Sequence, residues 1–133
     1  MTMVAKDAEY RLQITPYINE RTSRTSTLVT LSTIKSFASF RYALDVDAEF
    51  DGDTLRLCVL GLKTPDPDLP AAGPAEFKQD YEEMSGDCRI VVKGLDGSST
   101  AIAVRVTPQS VTLMGPVTGG NVALDLHPPH RSP

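Results

Sequence analysis

The feature that most constrains this chain is a strict two-residue alternation over residues 40–50. Phe40, Tyr42, Leu44, Val46, Ala48 and Phe50 alternate there with Arg41, Ala43, Asp45, Asp47 and Glu49. A period of two puts one set on each face of a strand, so this stretch predicts a β-strand with one apolar and one wet face. Asp51-Gly52-Asp53 follows. Asp-Gly supplies the positive φ of a tight hairpin, so residues 54–62 are expected to return antiparallel beside it. In that return both alternating sets are apolar, Leu55, Leu57 and Val59 against Cys58, Leu60 and Leu62. This predicts a central strand covered on both faces.

The same logic recurs over residues 88–94 and 100–107, joined through Leu95-Asp96-Gly97-Ser98-Ser99. Cys88, Ile90 and Val92 mark the inner face of the first arm, and Ile102, Val104 and Val106 that of the second. Shorter strands are expected at 111–114 and around Val122, Leu124 and Leu126, with two more upstream: one where Tyr10, Leu12 and Ile14 alternate, one over 27–34. Residues 64–74 hold Pro65, Pro67, Pro70 and Pro74, which suits a surface crossover and no ladder. Phe77, Tyr81 and Met84 then fall at helical spacing between Pro74 and Gly86, which predicts a short amphipathic helix over 75–84; a strand is the competing reading. The expected fold is therefore mainly β: an antiparallel β-sandwich or partly open barrel of about seven to nine short strands with one short helix.

Composition bounds the rest. Aromatic residues are 6% of the 133 residues and Trp is absent, so aliphatic side chains must fill the core. The length suits a single β-rich domain spanning 1–133, with residues 1–8 and 127–133 as flexible ends. A net charge of -4 argues against nucleic acid or an anionic membrane surface as partner. Lys6, Asp7 and Glu9 interrupt the first ten residues where a signal peptide needs an apolar run, so a cytoplasmic location is expected. Two cysteines, Cys58 and Cys88, are too few for a disulfide framework and sit in apolar strands. If their strands are neighbours, the two thiols can meet.

Each polar cluster has a chemical reading and a structural one. Asp45, Asp47 and Glu49 share one side of a strand and are the candidate ligands for a hard cation; a solvated strand face that discourages edge pairing is the alternative. The run Asp47, Glu49, Asp51, Gly52 imitates a calcium loop but places Cys58 where the last ligand belongs. A paired-carboxylate hydrolase needs an apolar pocket around one acid, which an open sheet face does not supply. His127 and His130 leave a zinc site two ligands short. Arg21 and Arg24 lie in a Ser/Thr-rich stretch without the glycines of a phosphate loop, and no helix signal follows residues 115–120.

No catalytic constellation emerges, and no cofactor is expected. The expected function is a non-enzymatic module for binding a protein partner or assembling with itself, as a homodimer for example, through loops or sheet edges. Residues 64–74, 75–84 and 115–120 are the first recognition candidates. A small-ligand carrier is one alternative. An enzyme is the other, with a pocket built by Asp80, Glu83 or Asp87 facing Arg56 or Arg89.

Overall fold

In the computed structural model the described residues are 2–3, 9–19, 21–37, 43–63, 73–82, 84–120, 122–126 and 130–132. They form β1 (Thr2–Met3), β2 (Tyr10–Asn19), β3 (Arg24–Phe37), β4 (Ala43–Asp51), β5 (Thr54–Lys63) and β6 (Gly73–Tyr81). There follow β7 (Gly86–Lys93), β8 (Ser99–Val106), β9 (Val111–Leu113), β10 (Val122–Leu126) and β11 (His130–Ser132). All belong to one sheet, in the order β1-β10-β2-β3-β6-β4-β5-β7-β8-β9, with β11 beside β2.

The sheet rolls up until β9 lies near β2, and the Leu95 N–H donates to the Tyr10 hydroxyl at 3.4 Å across the ends of the roll. The result is a nearly closed barrel, not two packed sheets, and the sandwich alternative is corrected accordingly. A sandwich needs two sheets facing each other; here each long strand turns its alternate residues into one shared interior. Leu12, Leu31, Leu57, Ile90, Ile102 and Leu124 are buried there in a single continuous cluster. Burying each such side chain stabilises the fold by roughly 1.5–3 kcal/mol.

The two expected hairpins form. β4 and β5 pair from Asp51↔Thr54 onward, around a turn in which Gly52 has φ 64°. β7 and β8 pair from Lys93↔Ser99 to Gly86↔Val106. In their turn the Asp96 carboxylate accepts from the Ser98 N–H and hydroxyl, at 3.0 and 2.6 Å. The sheet is not wholly antiparallel as expected: β10 and β11 run parallel to β2, β7 to β5 and β6 to β4. The β6–β4 and β7–β5 pairs are parallel because β6 is inserted between β3 and β4 instead of following the hairpin order.

The helix expected over residues 75–84 is replaced by the strand β6. A spacing of four serves a strand face as well as a helix face, so Phe77 and Tyr81 did not discriminate. A helix of about ten residues is marginal by itself, whereas β6 gains a ladder with β3 from Thr27↔Tyr81 to Ser32↔Glu76. Met84 follows as a buried residue whose carbonyl accepts the Thr27 hydroxyl at 3.1 Å. Gly86 does not end a helix; it opens β7 at φ 74°.

The expectation that β5 is covered on both faces is also corrected. Leu55, Leu57 and Val59 are buried, but Leu60 and Leu62 are 57% and 45% exposed. Leu60 is the unmatched residue of a bulge, and Leu62, although paired with the inward Leu44, stays half-exposed near the end of its strand. Residues 64–72 of the expected crossover and residues 40–42 of the expected strand lie outside the described residues. Of the two ends expected to be flexible, Thr2–Met3 and His130–Ser132 are laid down as β1 and β11, and the remainder lies outside the described residues.

β2 continues through Pro16, which has no N–H to give. The bond from the Ile34 N–H to the Glu9 carbonyl, 3.0 Å, sets the parity of the β2–β3 ladder. Even-numbered β2 residues therefore aim their backbone groups away from β3. Pro16 thus faces the interval between Ile14, the last partner of β10, and Tyr17, the first partner of β11.

Beyond β9 the chain is stapled to β8 by a reciprocal pair, Ala101 N–H to Thr118 O at 2.8 Å and Thr118 N–H to Ala101 O at 3.0 Å. Gly119 makes this possible: its φ is 114°, and a Cβ there meets the Ser99 carbonyl and lies 2.9 Å from the Thr100 Cα. Gly119→Ala is expected to cost about 1–3 kcal/mol in chemical denaturation, the usual range for a strained backbone position. Gly120→Ala, with nothing within 4 Å, is expected to stay within about 0.5 kcal/mol of the wild type.

Candidate functional site

The barrel is interrupted between β4 and β6. Among the described residues Ala43↔Glu76 is the single ladder pair between them. On its other side β4 pairs with β5 along its whole length. Bulges flank the junction on both sides. The β4–β5 register shifts between Asp45 and Val46, leaving Leu60 unmatched, and the β3–β6 register shifts between Ser32 and Ser36. At the second shift the Thr33 hydroxyl replaces the ladder, accepting the Ala75 N–H at 3.0 Å and donating to the Lys35 carbonyl at 2.7 Å. Bulges bend strands and increase their twist, and beyond this point β4 and β6 form no further ladder pair among the described residues.

The opening is lined by core residues. Val46, Ala48 and Phe50 on β4 and Phe77 on β6 are only partly buried and pack against the interior cluster. At the far end the Phe50 and Tyr81 rings span the gap with centroids 5.9 Å apart. The backbone of β4 faces the same gap. In the two-residue hairpin Asp51 and Thr54 form the closing pair, and the turn bond between them fixes the alternation. Asp47, Glu49 and Asp51 spend their backbone groups on β5, while those of Val46, Ala48 and Phe50 point into the opening. No strand pairs with them there among the described residues.

The acidic residues singled out by sequence flank this edge. Asp45, Asp47, Glu49 and Asp51 stand on the outer face of β4. Asp45 lies 4.0 Å from the Lys63 ammonium, and Arg56 is directly opposite Glu49. Asp47 and Asp51 face the uncharged Cys58 and Thr54. Across the gap the outer residues of β6 are Glu76, Lys78 and Asp80. Among the described residues no three His, Cys, Asp or Glu side chains are gathered as a metal site, because carboxylates at every second position of one strand fan outward together.

A second concavity of about 230 Å³ lies at the end of the barrel near the β4–β5 turn, lined by Asp53, Asp87, Cys88, Arg89, Ala103, Val104 and Met114. It is smaller than the roughly 300–1,000 Å³ of small-molecule sites. Asp87 and Arg89, two residues of the enzyme alternative, both reach it, but the ion pair that forms is Asp87 with Arg105 at 2.8 Å. That guanidinium holds the Asp87 carboxyl below the usual carboxylate range. Arg56 stands on β5 opposite Glu49, Asp80 is exposed on β6, and Glu83 lies outside the described residues. Burial pushes the Cys88 thiol up, with the Asp53 and Asp87 carboxylates acting in the same direction. Its hydrogen bond goes to the Ser85 carbonyl at 3.6 Å. A thiol kept protonated in this way is a poor nucleophile.

The strands of the two cysteines are neighbours, yet the thiols do not meet. In the parallel β5–β7 register Cys58 pairs with Lys93 and Thr54 with Arg89, so Cys88 lies at the opposite end of the ladder, and both thiols are free. Arg21 lies in the β2–β3 turn, where Ser23 adopts φ 57°, and Arg24 lies 3.7 Å from Glu82. The loop 115–120 is held by the Ala101–Thr118 staple. His127 and the side chain of His130 lie outside the described residues. The opening itself escaped the sequence, since it depends on β6 joining β3, and only the acidic alternation marked its border.

No known protein family, curated protein or solved structure matches the chain. Among the described residues no helix is long and apolar enough to cross a membrane.

The two thiols should differ in reactivity. Titration of the native protein with a thiol reagent is expected to modify half-buried Cys58 quickly and buried Cys88 only on unfolding. Equal rates for the two would contradict the burial described here.

Proposed function

We propose that this chain is a non-catalytic binding module that takes an extended segment of a protein partner into the opening between β4 and β6 by strand addition. One observation carries the reading: the backbone groups of Val46, Ala48 and Phe50 face an opening in which β4 has no ladder partner among the described residues. An added strand pairs with those groups, and its inward side chains cover the partly exposed Val46, Phe50 and Phe77. Main-chain bonds then supply affinity and alternate side chains supply selectivity.

The energetics fit a reversible interaction. Each new hydrogen bond stabilises the complex by about 0.5–1.5 kcal/mol net, and covering apolar surface contributes about 25 cal/mol per Å². Ordering of the incoming segment opposes both. The balance points to affinities on the order of micromolar, roughly 8 kcal/mol. A carrier function fits less well because the inward aliphatic side chains pack against one another in one continuous cluster.

The test uses a proline that removes one seam-facing N–H while leaving the β5 ladder intact, as edge strands allow. Random nine-residue peptides displayed on phage are selected on the immobilised chain, then measured in solution. Selected peptides are expected to bind the wild type and to bind Ala48→Pro about tenfold more weakly or worse, the loss of one to two hydrogen bonds. Thermal melting checks that the variant folds; Val46→Pro, which removes another seam-facing donor, replaces it otherwise. Equal binding to wild type and the proline variant overturns the proposal, as does a selection that yields no binder.

A further inference from the structure

We infer that the segment this opening accepts is a basic strand, with Lys or Arg at every second position and apolar residues between them. The inference rests on the strand-addition reading above and adds the chemistry of the partner. A strand laid beside β4 alternates in step with it, so its outer residues come to lie next to Asp45, Asp47, Glu49 and Asp51 while its inner residues meet Val46, Ala48 and Phe50. Of the outer four, Asp47 and Asp51 have uncharged cross-strand neighbours on β5, and Asp45 and Glu49 share Lys63 and Arg56. Cations arriving beside β4 meet four carboxylates against the two cations Lys63 and Arg56, whereas an acidic strand is repelled from the same face.

The same charges decide against a second copy of the chain. Pairing β4 with β4 of another molecule, in any register that keeps the apolar faces together, places carboxylate directly against carboxylate. Like charges at such cross-strand positions are destabilising. The acidic face therefore blocks self-pairing, the usual hazard of a bare edge, and admits a strand of opposite charge. This joins the protective reading of the acidic alternation to a selective one.

The experiment compares capped peptides that match β4 in length, nine residues, alternating Lys–Val, Ser–Val or Glu–Val, with binding followed by fluorescence anisotropy. Wild type is expected to bind Lys–Val at least tenfold more tightly than Ser–Val, with no measurable binding of Glu–Val. The Lys–Val affinity should fall as salt rises. A double variant, Asp47→Lys with Asp51→Lys, both opposite uncharged β5 residues, should reverse the order of the Lys and Glu peptides while melting close to wild type. Ala48→Pro should weaken Lys–Val about tenfold.

The failures are distinguishable. Ser–Val binding as tightly as Lys–Val, with both lost in Ala48→Pro, overturns the charge inference and leaves strand addition standing. Lys–Val binding that Ala48→Pro leaves unchanged overturns strand addition and, with it, this inference, since attraction to surface charge then suffices. No binding by any of the three peptides overturns both. Concentration-dependent self-association of wild type that Ala48→Pro abolishes overturns the argument against a second copy.

Discussion

Two β-bulges sit beside the Ala43↔Glu76 ladder pair that joins β4 to β6, and the open side of the barrel depends on them. Each inserts unmatched chain into one strand of a pair, Leu60 in β5 and residues 33–35 in β3, and a bulge bends and twists the strand that carries it. The alternative, continuous pairing from Ala43↔Glu76 to the ends of both strands, would close the sheet and cover Phe50 and Phe77. The molecule instead satisfies its bulged backbone locally, through the Thr33 hydroxyl, and lets the two strands part. Side chains, the Phe50 and Tyr81 rings above all, span the gap in place of hydrogen bonds.

The rest of the structure makes that opening affordable without loss of order. Apart from β4 and β6, which border the opening, the long strands have neighbours on both sides, and their inward aliphatic residues form one cluster. With no Trp and few aromatic rings, packing falls to β-branched and leucine side chains that suit a pleated surface. The roll is fastened by the Tyr10 hydroxyl and by the Ala101–Thr118 staple. A barrel with an unpaired seam between β4 and β6 offers backbone groups where a closed barrel offers only its loop tips.

Much of the fold was legible in the residues. The alternation at Leu44, Val46, Ala48 and Phe50 carries β4, and Asp51-Gly52-Asp53 carries its hairpin. Ile90, Val92, Ile102 and Val104 carry the second hairpin. What local pattern did not carry was pairing between distant segments. Phe77 and Tyr81 fit either a helix or a strand, and only the β3 edge, some fifty residues earlier, selected the strand. Leu60 and Leu62 looked covered because apolar character alone does not say whether a second layer exists. The acidic residues of β4 were visible from the start, but their position beside an unpaired edge follows from the register of β3, β5 and β6 together.

The central claim is that alternate backbone groups of β4 face an opening, and amide hydrogen exchange reads this residue by residue. The account predicts an alternating pattern in the free protein: fast exchange at Val46, Ala48 and Phe50, slow exchange at Asp47 and Glu49, whose N–H groups pair with β5. Uniform slow exchange along β4, with Val46, Ala48 and Phe50 protected as well as Asp47 and Glu49, would contradict it.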